Sequence, residues 1–96
     1  MNRICIIGAG ISGLSIAYEK KKSGQLVKVF ESGNRIGGVI QSELIDGYLL
    51  DYGANTLNVR LKSTKDRLEN CGAWDHCMDA NLLSNKRMIV RDGKIV

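Results

Sequence analysis

The chain has 96 residues, a formal net charge of +4, 44% hydrophobic and 25% charged residues, and three cysteines. That length holds at most one small domain with a modest core, and the ordinary balance of apolar and charged residues excludes a disordered chain. An odd number of cysteines without a C-x-x-C pair excludes a disulfide framework and fits a reducing compartment.

The first element is Ile4-Cys5-Ile6-Ile7, a short β-branched run of the kind that makes a strand buried on both faces of a parallel sheet. Gly8-Ala9-Gly10-Ile11-Ser12-Gly13 follows at once and fits G-x-G-x-x-G. Leu14 to Lys20 then reads as a helix with small residues on its inner face. Each glycine has a physical task. Gly8 allows the tight turn, Gly10 lets a pyrophosphate approach the backbone, and Gly13 lets helix and strand pack closely. The amides of the first helical turn, with the helix dipole behind them, form a seat for a diphosphate. Lys20-Lys21-Lys22 closes the helix where cations complement the dipole. No aromatic residues interleave with that run and no second basic cluster supports it, so no nucleic-acid partner is expected. A second strand, Leu26 to Phe30, ends in Glu31, about 20 residues past the glycines, where a carboxylate can accept both hydroxyls of an adenosine ribose. The uncharged stretch from Ile4 to Ala17 superficially resembles a secretory signal. It falls short of the ~20 residues that span a bilayer and is broken by three glycines, so neither a targeting segment nor a transmembrane helix is expected.

After the acid, Ser32-Gly33-Asn34-Arg35-Ile36-Gly37-Gly38-Val39 carries a second glycine pair, which an ordinary nicotinamide domain does not need at this point. Gly37 and Gly38 would let backbone approach the same dinucleotide from its other side, and Arg35 could neutralise part of the diphosphate charge or orient the loop. Ile40 to Ile45 and Tyr48 to Tyr52 flank Asp46-Gly47, the signal of a type I′ hairpin. Gly53-Ala54-Asn55-Thr56 suits either a plain turn or a ring or phosphate lying close to the main chain. Ser63 reads as the N-cap of a short helix with Leu68 and Cys71 as its buried contacts, stopped by Gly72. Trp74 reads as packing at the helix end. Cys71, His76 and Cys77 match no zinc spacing, so no metal site is expected. A second Asp-Gly hairpin, around Asp92-Gly93, closes the chain.

A G-x-G-x-x-G unit, an acid, and Arg-x-Gly-Gly a few residues later resemble the FAD-binding amino-terminal segment of the amine oxidase and phytoene desaturase superfamily of flavoproteins. Within it, Glu31-Ser32 through Arg35-Ile36-Gly37-Gly38, the hairpin leading to Asp51-Tyr52-Gly53-Ala54-Asn55-Thr56, and Asn85-Lys86-Arg87 with Arg91-Asp92-Gly93-Lys94 are similar to the oxygen-dependent protoporphyrinogen oxidase family. The resemblance implies an α/β fold: a Rossmann-like FAD-binding βαβ unit followed by β-hairpins and a short helix. Residues 1–96 would be the amino-terminal part of a larger two-domain flavoprotein, without its substrate domain or its carboxyl-terminal FAD segment.

It further implies that Gly8, Ala9, Gly10, Ile11, Ser12 and Gly13 hold the FAD diphosphate and that Glu31, with Ser32, holds the adenosine ribose. Arg35, Gly37, Gly38 and Val39 would line the flavin side, and Gly53, Ala54, Asn55 and Thr56 would approach the flavin ring. Asn55 would also lie near substrate, and Arg87 would pair with a porphyrinogen propionate through its planar fork. The implied activity is FAD-dependent oxidation of protoporphyrinogen IX to protoporphyrin IX with oxygen as acceptor; no acid or base catalyst is assigned, and the 96-residue chain alone is expected to be inactive. The setting implied is cytoplasmic, with peripheral contact to a membrane surface left open for the full-length protein. Glu31 suits NAD as well as FAD. Another flavin-dependent oxidoreductase of the superfamily, a nicotinamide-dependent dehydrogenase and a non-catalytic dinucleotide-binding module therefore stay open.

Overall fold

The structure, a computed structural model, describes residues 2–96, the Asn85 side chain excepted. The chain divides into two compact units, Met1–Leu57 and Asn58–Val96. In the first, strand β1 (Arg3–Ile7), helix α1 (Ile11–Lys22) and strand β2 (Leu26–Phe30) form the anticipated βαβ unit. The two strands pair in parallel, with Arg3 opposite Leu26 and Ile7 opposite Phe30. Parallel neighbours need a crossover, and α1 supplies it. Alternate residues Ile4, Ile6, Val27 and Val29 are sheltered, as are Gly13, Leu14, Ala17 and Tyr18 along one side of α1. The periods of two and 3.6 thus place one face of each element against the other.

The opposite face of the sheet is open. Cys5 is exposed, and Ile7, Leu26 and Phe30 are 88%, 52% and 48% exposed. The expectation of a strand buried on both faces is therefore corrected, because one helix covers only one face. The core is correspondingly smaller than the composition suggested: among the described residues only Ile6 and Ala9 are buried apolar side chains. Replacing Leu26 and Phe30 by glutamine is expected to raise the concentration at which the chain stays monomeric, while changing stability by no more than about 0.5 kcal/mol each. Sedimentation and urea unfolding check this. Unchanged association would mean that the open face is not what drives it.

A loop then leads to strands β3 (Ser42–Ile45) and β4 (Tyr48–Asp51), an antiparallel hairpin in which Ile45 faces Tyr48. Its turn is the one the Asp-Gly pair predicts, with positive φ at both Asp46 (49°) and Gly47 (81°). Both faces of the hairpin are exposed.

The second unit holds helix α2 (Lys62–Asn70), single-turn 3₁₀ segments at Trp74–His76 and Leu82–Asn85, and a closing hairpin of β5 (Val90–Arg91) and β6 (Lys94–Ile95). Asp92 and Gly93 turn it with φ of 52° and 72°, and Ile89 and Val96 extend it by exchanging two backbone hydrogen bonds. Ser63 is not the N-cap of α2. Leu61 is, with no side-chain cap: its carbonyl accepts the N–H groups of Thr64 (3.1 Å) and Lys65 (3.4 Å), and the Lys62 ammonium lies 3.6 Å from the Asp66 carboxylate one turn on. Cys71 is exposed rather than buried and donates its thiol to the Leu68 carbonyl, whereas Leu68 is half-buried. Gly72 stops the helix as expected, donating its N–H to the Glu69 carbonyl at φ 79°. Trp74 packs at that end with the Lys65 ammonium 5.0 Å from its ring centroid. No helix among the described residues is long and apolar enough to cross a membrane.

Candidate site at the glycine-rich turn

The turn from β1 into α1 is held from three directions. Gly8 donates its N–H to the carbonyl of Phe30 (2.7 Å), which ties the turn to the end of β2. Ala9, 1% exposed, donates its N–H to Oε1 of Glu31 (3.0 Å) and accepts at its carbonyl from the N–H of Gly37 (2.7 Å). From the helix side, Gly13 lies so close that a Cβ there would stand 2.0 Å from the Gly8 carbonyl oxygen. The close packing assigned to this glycine is thus literal: no larger residue fits unless the helix moves away from the strand.

Helix α1 has Gly10 as its N-cap, and its first intrahelical bond runs from the N–H of Leu14 to the Gly10 carbonyl (3.0 Å). The amides of Ile11, Ser12 and Gly13 therefore have no acceptor within the helix and carry the positive end of its dipole. Ahead of them lies a cleft of about 400 Å³, lined by Ile7, Gly8, Gly10 to Gly13 and the loop residues Gly37 to Ile40. A Cβ on Gly10 would meet nothing within 4 Å. That empty space is where an anionic group can reach the main chain. None of the residues lining the cleft is charged.

Glu31 stands at the carboxyl end of β2 with each oxygen taking one backbone N–H, Oε1 from Ala9 and Oε2 from Gly33 (2.7 Å). These bonds, the Ala9 amide first, then that of Gly33, with a smaller contribution from the Arg35 charge, hold its carboxyl below the usual carboxylate range. A carboxylate has about four acceptor positions. The bonds from Ala9 and Gly33 use two of them. Ser32 lies exposed beside it.

Of the two tasks foreseen for Arg35, the structure displays loop orientation. Its guanidinium donates to the carbonyls of Ile36 (3.0 Å), Gly38 and, weakly, Ile40 (3.5 Å). Val39 is 71% exposed at the cleft wall. Gly53 backs directly onto it, since a Cβ on Gly53 would stand 2.2 Å from the Val39 carbonyl oxygen. Gly53, which opens the segment 53–56, therefore lies beside the loop that forms the cleft.

Within that segment Asn55 is engaged by its own hairpin. Its Nδ2 donates to Oδ2 of Asp51 (2.9 Å), and its Oδ1 accepts from Thr56 Oγ1 (2.9 Å). Ser42 Oγ donates to the other oxygen of Asp51, and these two donors hold the Asp51 carboxyl below its usual range. Tyr52 donates its hydroxyl to Glu43, which raises the tyrosine above its ordinary value. Sequence reasoning missed this Ser42–Asp51–Asn55–Thr56 chain, although short polar residues at both ends of a hairpin are a signal for it. Ala54 is exposed within the segment. Arg87 belongs to the second unit, where it is exposed. Among the described residues no three His, Cys, Asp or Glu side chains converge as metal ligands.

Comparison with known proteins agrees with this fold. Residues 6–68 match the family model of the NAD(P)-binding Rossmann-like domain. Protoporphyrinogen oxidase 2, chloroplastic/mitochondrial, of Arabidopsis thaliana is 36% identical over 91 residues, covering 95% of this chain and 18% of the relative. Coproporphyrinogen III oxidase of Staphylococcus aureus (strain NCTC 8325 / PS 47) is 50% identical over 52 residues, 52% of this chain and 11% of the relative. A solved structure of wild-type putrescine oxidase bound to putrescine superposes with a TM-score of 0.63 at 32% identity, covering 74% of this chain and 16% of that one. The chain thus spans less than a fifth of the length of these relatives. The resemblance to flavin-dependent porphyrinogen oxidases read from the glycine motifs is matched by the relatives themselves. With its βαβ unit, its glycine-rich turn and a family match over more than half its length, the chain belongs to the NAD(P)-binding Rossmann-like domain family.

Proposed function

We propose that the chain is the FAD-binding segment of a flavin-dependent oxidoreductase of the amine oxidase superfamily, acting in the whole protein on protoporphyrinogen IX with oxygen as acceptor. The observation that carries the reading is the docking of the second glycine pair on the first, through the bond from Gly37 N–H to the Ala9 carbonyl. A plain nicotinamide domain needs one glycine-rich turn; here two backbone segments frame one cleft. In this reading the amides from Gly8 to Gly13 receive the diphosphate, and Glu31 with Ser32 receives the adenosine ribose. Gly37, Gly38 and Val39 bound the flavin half, with Arg35 in their loop, and residues 53–56 approach the ring. Asn55 and Arg87 are the residues proposed to face substrate. Bound flavin supplies hydride acceptance, while the chain's residues bind, orient and exclude water.

The porphyrinogen assignment is supported by the names of the relatives that cover nearly the whole chain. The test is equilibrium binding of FAD and NAD to the chain, followed by flavin fluorescence and calorimetry. FAD is expected to bind and NAD to bind at least roughly tenfold more weakly, a difference of about 1.4 kcal/mol. A preference for NAD would sink the flavin assignment and favour a dehydrogenase, for which Glu31 is equally suited. With FAD bound, the 96-residue chain is not expected to oxidise porphyrinogen or to reduce oxygen to peroxide.

A further inference from the structure

The structure assigns Arg35 a role distinct from charge neutralisation: we propose that it is a positioning residue that holds the Gly37–Gly38 backbone against the phosphate-binding turn, so that a diphosphate is received here without any side-chain cation. The proposal rests on the dinucleotide reading above and deepens it.

The geometry of the loop leads to this role. The guanidinium fork grips the carbonyls of Ile36 and Gly38, with a weaker reach to Ile40, so it closes the loop on itself. The gripped loop then docks on the turn at two points. Gly37 donates to the Ala9 carbonyl, and Gly38 lies so near that a Cβ on it would stand 3.1 Å from Gly10 Cα. Gly37 and Gly38 reach this position only with φ of 112° and 62°, conformations that a free loop has no reason to hold. Five N–H donors in a rigid plane match several carbonyls at once, and an ammonium on a flexible stem does not. Meanwhile the cleft wall itself carries no charged side chain among the described residues. The diphosphate seat is then built from amides and the helix dipole, and its shape depends on the loop that Arg35 closes.

The test is calorimetric binding of ADP and of adenosine to the full chain, with Arg35→Lys and Arg35→Gln, from about 0.05 to about 0.5 M salt, together with amide hydrogen exchange. Both variants are expected to weaken ADP roughly tenfold, the effect of losing a pre-formed seat, and to leave adenosine within about twofold. They are also expected to speed exchange at residues 36–40 and to keep the wild-type salt dependence. Lysine keeps the charge but not the fork, so it does not rescue. The proposal is overturned if lysine restores ADP binding, if Arg35→Gln flattens the salt dependence, or if ADP and adenosine weaken together. A wild-type chain that binds neither ligand overturns the dinucleotide reading itself and the proposal with it. That outcome is distinct from the others, in which the wild type binds.

Discussion

Gly13→Ala is expected to cost the chain both its fold and its dinucleotide, whereas Gly10→Ala, three residues earlier, should cost it only the dinucleotide. A methyl group at position 13 would stand 2.0 Å from the Gly8 carbonyl oxygen, 3.2 Å from its carbon and 3.3 Å from Cγ2 of Ile6. Gly8 cannot retreat, because its N–H is bonded to Phe30 across the sheet. The helix must move instead, and overpacking of this kind costs about 1–3 kcal/mol or more. A unit whose buried apolar side chains, among the described residues, are Ile6 and Ala9 has little reserve. Each kcal/mol lost should lower the melting temperature by roughly 4–8 °C. At Gly10 the added methyl meets nothing within 4 Å, and φ is −77°, which alanine adopts freely. Gly10 lines the cleft, so the melt should stay near wild type while FAD binding falls roughly tenfold or more, about 1.4 kcal/mol. Circular-dichroism melts beside FAD titrations separate the two cases. Equal FAD binding by Gly10→Ala and wild type would show that the diphosphate does not sit where the main chain is bare.

Glu31→Gln is expected to weaken FAD roughly ten- to a hundredfold, the range for hydrogen bonds to a charged acceptor. The amide is not a neutral stand-in at this position. Both carboxylate oxygens accept a backbone N–H, from Ala9 and Gly33, and a glutamine has only one acceptor oxygen. One N–H would then face another. The substitution is therefore expected to disturb the glycine-rich turn through Ala9 as well as the carboxyl end of β2. The pH dependence follows from the same bonds, which lower the folded-state pKa of Glu31. A depressed carboxyl contributes fully above its unfolded value, about 4.3 for a glutamate, and the contribution is lost as pH falls through the lower folded value. FAD binding should therefore be flat from neutral pH into the ordinary glutamate range and decline only below it. In Glu31→Gln that acid limb should vanish. An acid limb that persists unchanged in the variant would place the titrating group elsewhere.

Much of the fold was legible because it depends on neighbours in sequence. The β-branched run before Gly8, the helical spacing after Gly13, and the Asp46-Gly47 and Asp92-Gly93 turns are local preferences, and each became the element it predicts. The start of α2 was misplaced at Ser63 because a capping signal records a side-chain preference, whereas the start is set by the carbonyl that takes the first helical bonds, and that is Leu61, which accepts from Thr64 and Lys65. Exposure of Cys71 escaped for a different reason. Helical spacing says which face a residue is on but not whether anything covers that face.

By itself the sequence determined the βαβ unit, its glycine-rich turn and the acid at the end of β2, since the spacing of glycines, strand and carboxylate follows from chain geometry. The tertiary structure alone decided how these parts are joined. That Glu31 grips the Ala9 amide, that Gly37 caps the Ala9 carbonyl and that Arg35 faces carbonyls rather than the cleft depend on which backbone groups meet across the fold. So does the open face of β1 and β2, because burial is a property of what packs against a strand and not of the strand's own residues.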